Sequence, residues 1–555
     1  MSGSVANAAA EAAPAVEWED PRDATVAWTL ARLHYPRPIT VLTHDLRRLS
    51  QDTGMSRADA ALERPIERLQ RRINGYLYRG ARPLELPAAE LATRKLRAEA
   101  RYVSLARRAG EVWSGMLPEI EALLAAFDAV PLEQLDRREL ATELALATTR
   151  FARLWEIHFL VMPPALTAME LFTELYRELF EDATQLDALR LLQGEDSKTV
   201  EAARSLWALA AAARADRPVA DVLVSAAPED LAQAIETAPE AAAFRALFNE
   251  HLTRYGRRGI TMDPAEPSVI ERPGAVLGEI RELLASGRDP AEQLATVRRE
   301  RDDAVSAARE RIRWYPQPVR DEFEVLLRSA QDAVRIQETH NFYIDFPTSF
   351  LMRIRAQAAA RLLVADGVIP EVDDVFHLRL VELADALLGH PAADLRGRID
   401  ARRQELERAA RIDPPRSLGA PSPGAGTSIV DRATLSFAGA PPPPSEHGIV
   451  RGHPGSAGRA RGIARVAHTP AEAERIAAGE ILVTQMTAAP WTPLFARIRA
   501  LVTDAGGALS HSAIVAREYG IPAVVGTGHG TSSIRDGEEI EVDGDAGIVR
   551  IVGAA

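Results

Sequence analysis

From residue 19 to about 410, apolar residues recur three and four positions apart. Segments 88–126, 134–160, 165–192, 198–214, 227–254, 290–312, 318–364 and 380–410 carry this spacing, which gathers the apolar side chains into one stripe on a helix. Glycine is sparse there and Ala, Leu, Arg and Glu dominate. The pattern predicts a large, nearly all-helical domain, interrupted at prolines such as Pro163-Pro164, Pro218 and Pro264. At about 412 the texture changes. Residues 412–447 are dominated by Pro, Gly, Ser and Ala and end near four consecutive prolines, Pro441–Pro444. Such a run predicts a mobile tether with a stiffer polyproline end and no core of its own.

Beyond the tether, short β-like runs appear at Ile463–Ala467, Ile481–Thr484, Ala500–Thr503, Ala523–Val525, Glu539–Val542 and Ile548–Val552. The last two flank Asp543–Gly547 and read as a hairpin. Thr469, Pro470 and Glu472 mark a helix start, with a stop at Gly479. A second helix is predicted from Ser510 to Gly520. The expected organisation is a frayed tail over 1–17, a helical domain over 18–411, the tether over 412–447 and a compact α/β domain over 448–555.

Composition narrows the function classes. The 555 residues are too many for one core, and 46% apolar with 26% charged residues is the balance of a soluble globular protein. No run approaches the roughly eighteen apolar residues of a membrane span, and the first sixteen residues lack the features of a signal peptide. There is no cysteine, which excludes disulfides, thiolate catalysis and cysteine-held metals. A net charge of −13 argues against nucleic acid as a partner. A cytoplasmic setting with no membrane partner follows as the expectation. Lys95 and Lys198 are the only lysines, neither follows a glycine-rich loop, and no G-x-x-x-x-G-K-[ST] occurs. Nucleotide chemistry is therefore expected to use a partner chain.

The chemistry concentrates in Leu501–Gly528, LVTDAGGALSHSAIVAREYGIPAVVGTG. A strand delivers Thr503, Gly506 and Gly507 permit a tight turn, and Ser510-His511 opens a helix. A histidine there meets free backbone N–H groups and the positive end of the helix dipole. That setting disfavours imidazolium and leaves a ring nitrogen available as nucleophile. The helix end and the Thr503 hydroxyl could then stabilise an added phosphoryl group. The alternative is a capping histidine on a surface turn.

This block, with Gly452–Arg465 (GHPGSAGRARGIAR), resembles the phosphohistidine domain of phosphoenolpyruvate synthase, pyruvate phosphate dikinase and rifampicin phosphotransferase. The resemblance covers 448–555 and implies a swivelling β/β/α domain whose phosphoryl carrier is His511. In the helical part, Trp18–Pro21, His34–Thr40, Asn74–Tyr78, Tyr255–Gly259 and Asp373–Leu378 resemble the acceptor-binding domain of rifampicin phosphotransferase-like proteins. Those proteins carry an ATP-grasp domain ahead of it, and this chain starts where that domain would end. The same split is found in phenylphosphate synthase and the enzyme phosphorylating 4-cresol. By resemblance, the protein is a subunit of a two-component phosphotransferase turning ATP, acceptor and water into phosphorylated acceptor, AMP and phosphate. ATP and Mg²⁺ (or Mn²⁺) would be held mainly by a separate ATP-grasp subunit in a hetero-oligomer. The acceptor would be a small phenol or alkylphenol of aromatic catabolism. An antibiotic phosphotransferase subunit and a non-enzymatic phosphocarrier or regulatory protein are the alternatives.

A phenol, with a pKa of about 10, needs a base beside its hydroxyl. Gln337–Asp345 (QETHNFYID) supplies Glu338, His340, Phe342 and Tyr343 within a few turns. Here His340 is the candidate base and Glu338 the group that orients a histidine, while the bland reading is a helix face with a satisfied histidine. His158 and Trp155, in an apolar-rich stretch before Pro163-Pro164, are candidate acceptor contacts or core residues, as are Phe159 and Phe346. Arg257 and Arg258 read as solvated arginines or as aids to phosphate binding. No residue is assigned as a metal ligand.

Overall fold

The computed structural model describes residues 11–12, 16–18, 20–32, 34–259, 261–286, 290–421, 426, 428–442, 444–446, 448–473, 475–487 and 489–552. The expected frayed tail lies largely outside the described residues. Among these residues, no helix is long and apolar enough to cross a membrane.

The architecture is a large, mostly helical region followed by a β-rich domain. The helical region also carries a sheet that the periodicity does not predict. Strands β1 (Ala27–Leu30), β2 (Ile66–Ile73), β3 (Tyr76–Pro83) and β4 (Ser417–Gly419) pair antiparallel in the order β2-β3-β1-β4. Asn74 and Gly75 both take positive φ and close the β2–β3 hairpin, a turn whose twist suits two-residue Asn-Gly loops. Helix α1 (Val41–Leu49) follows the first strand, with Thr40 accepting the Thr43 N–H as its cap.

Four helices shape the core behind the site. They are α2 (Ala88–Ala106), α3 (Arg137–Leu179), α4 (Gln317–His340) and α5 (Phe346–Ala365). Helix α4 packs along α3, and their buried faces share one cluster with Leu154, Trp155, Ile157, Val334 and Ile336. Two sequence expectations are corrected here. Helix α3 runs straight through Pro163-Pro164 instead of stopping, because its surroundings hold it: Trp155, Val161, Met162 and Ala165 are all buried. The prolines still remove two N–H donors, which leaves the carbonyls one turn earlier, at Phe159 and Leu160, without their helical partners. Conversely, the predicted continuous helix 318–364 is interrupted by a π-turn at Asn341–Asp345. Pro347 follows it in the first turn of α5 and cannot donate backward, which favours the widened turn there.

The tether also departs from expectation. Residues 417–419 complete the N-terminal sheet as β4, and Ile429–Ala438 folds as helix α6, capped by Ser428. Ile429, Val430 and Ala433 are buried, the first two in a cluster with Tyr102 of α2. The composition reading missed α6 because its apolar i, i+1, i+4 face is short and lies between Pro/Gly-rich flanks. Residues 422–425, 427, 443 and 447 of the tether lie outside the described residues.

The C-terminal domain keeps the predicted strands, but the helix predicted from Thr469 to Gly479 is a single turn, Pro470–Ala473, and two further strands precede the first predicted one. Its strands are β5 (Ile449–Arg451), β6 (His453–Ser456), β7 (Arg459–Val466), β8 (Ile481–Thr484), β9 (Ala500–Thr503), β10 (Ala523–Val525), β11 (Glu539–Asp543) and β12 (Ile548–Ile551). They form one mixed sheet ordered β5-β12-β11-β7-β8-β9-β10-β6, with β7, β8, β9 and β10 parallel. Helix α7 (His511–Glu518) follows β9 across the loop carrying the two glycines. Ala508, Leu509 and Ile514 join the same apolar cluster as α3 and α4, so the histidine loop is docked on the helical domain.

Candidate functional site

His511 is the first residue of α7, and Ser510 caps the helix by accepting the Ala513 N–H at 3.4 Å. The loop before it is held from two sides. Gly507 donates to the Phe437 carbonyl and Leu509 to the Ser436 carbonyl, both in α6, while Gln337 of α4 donates to the Leu509 carbonyl at 2.5 Å. Gly506 has φ +98°, and a Cβ at Gly507 would stand 2.2 Å from the Ser436 carbonyl oxygen. The double glycine thus permits a positive φ at one position and close packing against α6 at the next.

The His511 ring is oriented by Glu338. Its Nδ1 lies 2.9 and 3.1 Å from the two carboxylate oxygens, and the Thr199 hydroxyl donates to the same carboxylate at 2.9 Å. Burial pushes the Glu338 carboxyl up, but His511 and the two hydrogen bonds outweigh it, and its pKa is lowered. An ionised Glu338 can only accept, so the proton sits on Nδ1 and the lone pair on Nε2. Nε2 is buried and makes no hydrogen bond among the described residues. A nucleophilic nitrogen with its tautomer fixed and bulk water excluded is what phosphoryl uptake requires. Glu338 therefore serves His511 and not His340, the closer histidine in sequence.

A cavity of about 1120 Å³ opens from His511 into the helical domain. Its floor holds a second histidine constellation. Asp345, at the end of the π-turn, lies 2.9 Å from His158 Nδ1 and 3.3 Å from His340 Nε2, and the two imidazoles are 5.1 Å apart between centroids. His340 Nδ1 donates to the Ile336 carbonyl at 3.1 Å, so both of its nitrogens are engaged. For His340, burial lowers the pKa but Asp345 overrides it and the net shift is upward. At His158 burial wins and the pKa falls. Asp345 is held well below the usual carboxylate range: burial opposes this, and the two histidines prevail. The π-turn is what brings Asp345 back toward His340, and the α3–α4 packing supplies His158.

The donor atoms of His158, His340 and Asp345 lie within 4.8 Å of one another, a spacing a divalent cation could use, although the sequence reading assigned no metal ligand.

Of the other predicted residues, Trp155, Phe159 and Phe346 line the cavity, as does Ser510. Several do not. The Thr503 hydroxyl is buried and donates to the Ala505 carbonyl at 2.9 Å, so it braces the glycine turn. Gly506 and Gly507 shape the loop without lining the cavity. Phe342 points to Tyr255, ring to ring at 6.1 Å, with Arg258 stacked on it, and Tyr343 packs edge-on against Trp113. Both aromatics are half-buried outside the cavity, because the π-turn rotates them away from His340. Arg257 pairs with Asp128 outside the cavity. Sequence reasoning missed Arg47 and Arg79, which do line it. The signal was present: Arg47 continues the buried Val41, Leu42, Leu46 stripe of α1, where an apolar residue is the norm.

Fold and site together define a phosphohistidine-type mobile domain docked over a helical domain, with a cavity lined by both. Comparison with known proteins agrees. Residues 476–547 match the mobile domain of PEP-utilising enzymes, and residues 158–338 match the fourth domain of rifampicin phosphotransferase. The chain is 36% identical over 551 residues to chondramide synthase of Chondromyces crocatus, covering 97% of this chain and 14% of that protein. It is 29% identical over 429 residues to an uncharacterized phosphotransferase of Bacillus subtilis (76% of this chain, 50% of that one). To rifampicin phosphotransferase of Streptomyces sviceus it is 31% identical over 371 residues (65% and 40%). The chain therefore spans half or less of the length of these relatives.

Proposed function

We propose that this chain is the carrier and acceptor half of an ATP-dependent phosphotransferase. His511 Nε2 takes a phosphoryl group from an ATP-grasp partner that holds ATP and Mg²⁺, and delivers it to an aromatic hydroxyl of phenol type bound in the cavity. One observation carries this reading: His511, its tautomer set by Glu338, shares a cavity with a histidine–aspartate pair able to take the acceptor's proton. In the delivery step the Nε2–P bond breaks, the acceptor oxygen–phosphorus bond forms, and the hydroxyl proton passes to a base. His158 is the better base: Asp345 lies 2.9 Å from its Nδ1, and burial lowers its pKa so that the imidazole stays neutral. His340, with both nitrogens used, positions Asp345. Trp155 and Phe159 supply the apolar walls that an aromatic ring needs.

The cavity volume favours a second reading. About 1120 Å³ exceeds what a phenol fills and matches the upper end of small-molecule sites. An acceptor of antibiotic size is consistent with it. The test is single-turnover transfer from phosphorylated protein to 4-cresol or to a larger polyphenol. Transfer to either supports the phosphotransferase reading and selects the size class; phosphoprotein that hydrolyses at the same rate with and without each acceptor contradicts it.

A further inference from the structure

Two arginines in the cavity lack what buried arginines normally have. Arg47 is 3% exposed, yet its guanidinium meets only ring faces, Trp155 at 4.0 Å and Tyr35 at 5.7 Å. Its Nε is buried without a hydrogen-bond partner, and so is the Nε of Arg79 on β3. Among the described residues neither side chain has a carboxylate within ion-pair distance or a hydrogen-bond acceptor. Neighbouring cations differ: Arg68 is held by Asp59 at 2.7 Å and Arg32 sits 3.6 Å from Asp413. The other titratable groups facing the pair do not compensate it. His34 is driven to a pKa of about 3 by burial and by Arg79, so it is neutral, and Asp345 is shared between two histidines. Arg79 is pushed down to about 10, first by burial and then by Arg47. A buried cation and a half-buried one with a buried Nε, repelling each other and facing one cavity, call for an anion.

Position identifies whose anion it is. From His511 the contacts run to Glu338, then along α4 to His340, through Asp345 to His158, from His158 to Trp155 at 4.9 Å, and from Trp155 to Arg47. Arg47 thus enters this chain of contacts through Trp155, after the base, whereas a phosphoryl group in transit stays on His511. A substrate whose hydroxyl meets His158 and whose ring lies along Trp155 places its far end at the arginines.

We propose that Arg47 and Arg79 bind a carboxylate carried by the acceptor, so that the substrate class is an aromatic hydroxy acid. This rests on the phosphotransferase reading for the role of the hydroxyl, but the binding claim stands by itself. Guanidinium presents a planar fork matched to carboxylate, and a charge-assisted pair in a desolvated site is stronger than a neutral contact.

The test is calorimetric titration of the full chain with 4-hydroxybenzoate, 4-hydroxyphenylacetate and 4-hydroxycinnamate, each against its methyl ester, with inorganic phosphate as a further arm. At least one acid is expected to bind roughly tenfold or more tighter than its ester, the effect of about one charge-assisted hydrogen bond. Arg47→Gln and Arg79→Gln should each abolish that preference. If a variant does not fold, the acid-to-ester ratio of the unaltered protein decides. Esters binding as well as all three acids would overturn the inference, and so would inorganic phosphate displacing the acid with an affinity that both variants lose equally, which would assign the arginines to the phosphoryl group. Carboxylate binding without transfer from His511 would instead sink the functional reading and leave this one standing; transfer to 4-cresol with no preference for acids would do the reverse.

Discussion

A histidine that receives and surrenders a phosphoryl group needs one nitrogen fixed and the other free. Glu338 does the fixing, and its own ionisation depends on His511 and Thr199. Glu338→Gln can still approach Nδ1 but no longer imposes the tautomer. Phosphorylation of His511 should fall by roughly a hundredfold with little change in melting temperature, read by the rate of phosphoprotein formation. At the acceptor end the proposed mechanism makes His158 the base in place of His340. His158→Ala should depress transfer to the acceptor by about a hundredfold or more, the usual worth of a general base. His340→Ala should cost less and act through Asp345, so its loss should be accompanied by a shifted pH profile. Equal phosphoryl transfer by wild type and His158→Ala would remove His158 from the mechanism. At this scale His511, Ser510, Glu338, His158 and Trp155 could be picked from the sequence as residues that line one cavity, because a motif or an unusual residue on an apolar stripe marks each. Phe342 and Tyr343 misled, since their spacing from His340 assumed a regular helix and the π-turn changes the rotation.

Among elements, the segment between domains carries the main revision. Pro and Gly composition suggested reach without structure, but α6 docks on α3 and its last turn holds the histidine loop through the Ser436 and Phe437 carbonyls. The glycine at 507 is what allows that approach: a methyl group there would collide with a backbone atom at 2.2 Å. Gly507→Ala should leave the separate domains folded yet weaken docking of the loop, lowering acceptor phosphorylation more than phosphorylation of His511. Comparing the two half-reactions checks it, and an equal loss in both would mean the loop itself is distorted. Five of the eight strands of the C-terminal domain were legible to within a residue, because short apolar runs bounded by glycine have few alternatives, whereas Ile449–Arg451 and His453–Ser456 were not predicted and Arg459–Val466 begins four residues before the predicted run. The N-terminal sheet was not. Its strands are rich in arginine, as in Ile66–Ile73, and only Asn74-Gly75 announced the hairpin.

For the whole molecule, the cavity is lined by residues of both domains, so the proposed transfer depends on their docking. Glu518 of α7 is half-buried at that junction, with one carboxylate oxygen fully covered, and accepts the Gly194 N–H at 2.8 Å. Burial drives its pKa up to about 8, with the hydrogen bond and Arg517 opposing. A carboxyl raised on docking favours the docked state most below its ordinary 4.5, and that advantage drains away as pH climbs toward 8. The docked fraction, followed by fluorescence transfer between labels on the two domains, should therefore fall across this window, and Glu518→Gln should flatten the curve. A variant with the wild-type slope would place the sensitivity elsewhere. The central claim is that His511 Nε2 carries the phosphoryl group, and it is tested most directly by phosphorylating the chain, either with the small donor phosphoramidate or with ATP, Mg²⁺ and an ATP-grasp partner, and locating the group by nuclear magnetic resonance and peptide mapping at alkaline pH. The account predicts a single acid-labile, base-stable phosphohistidine at His511, bonded through Nε2 and lost in His511→Ala; phosphate on Nδ1, or retained in that variant, would contradict it.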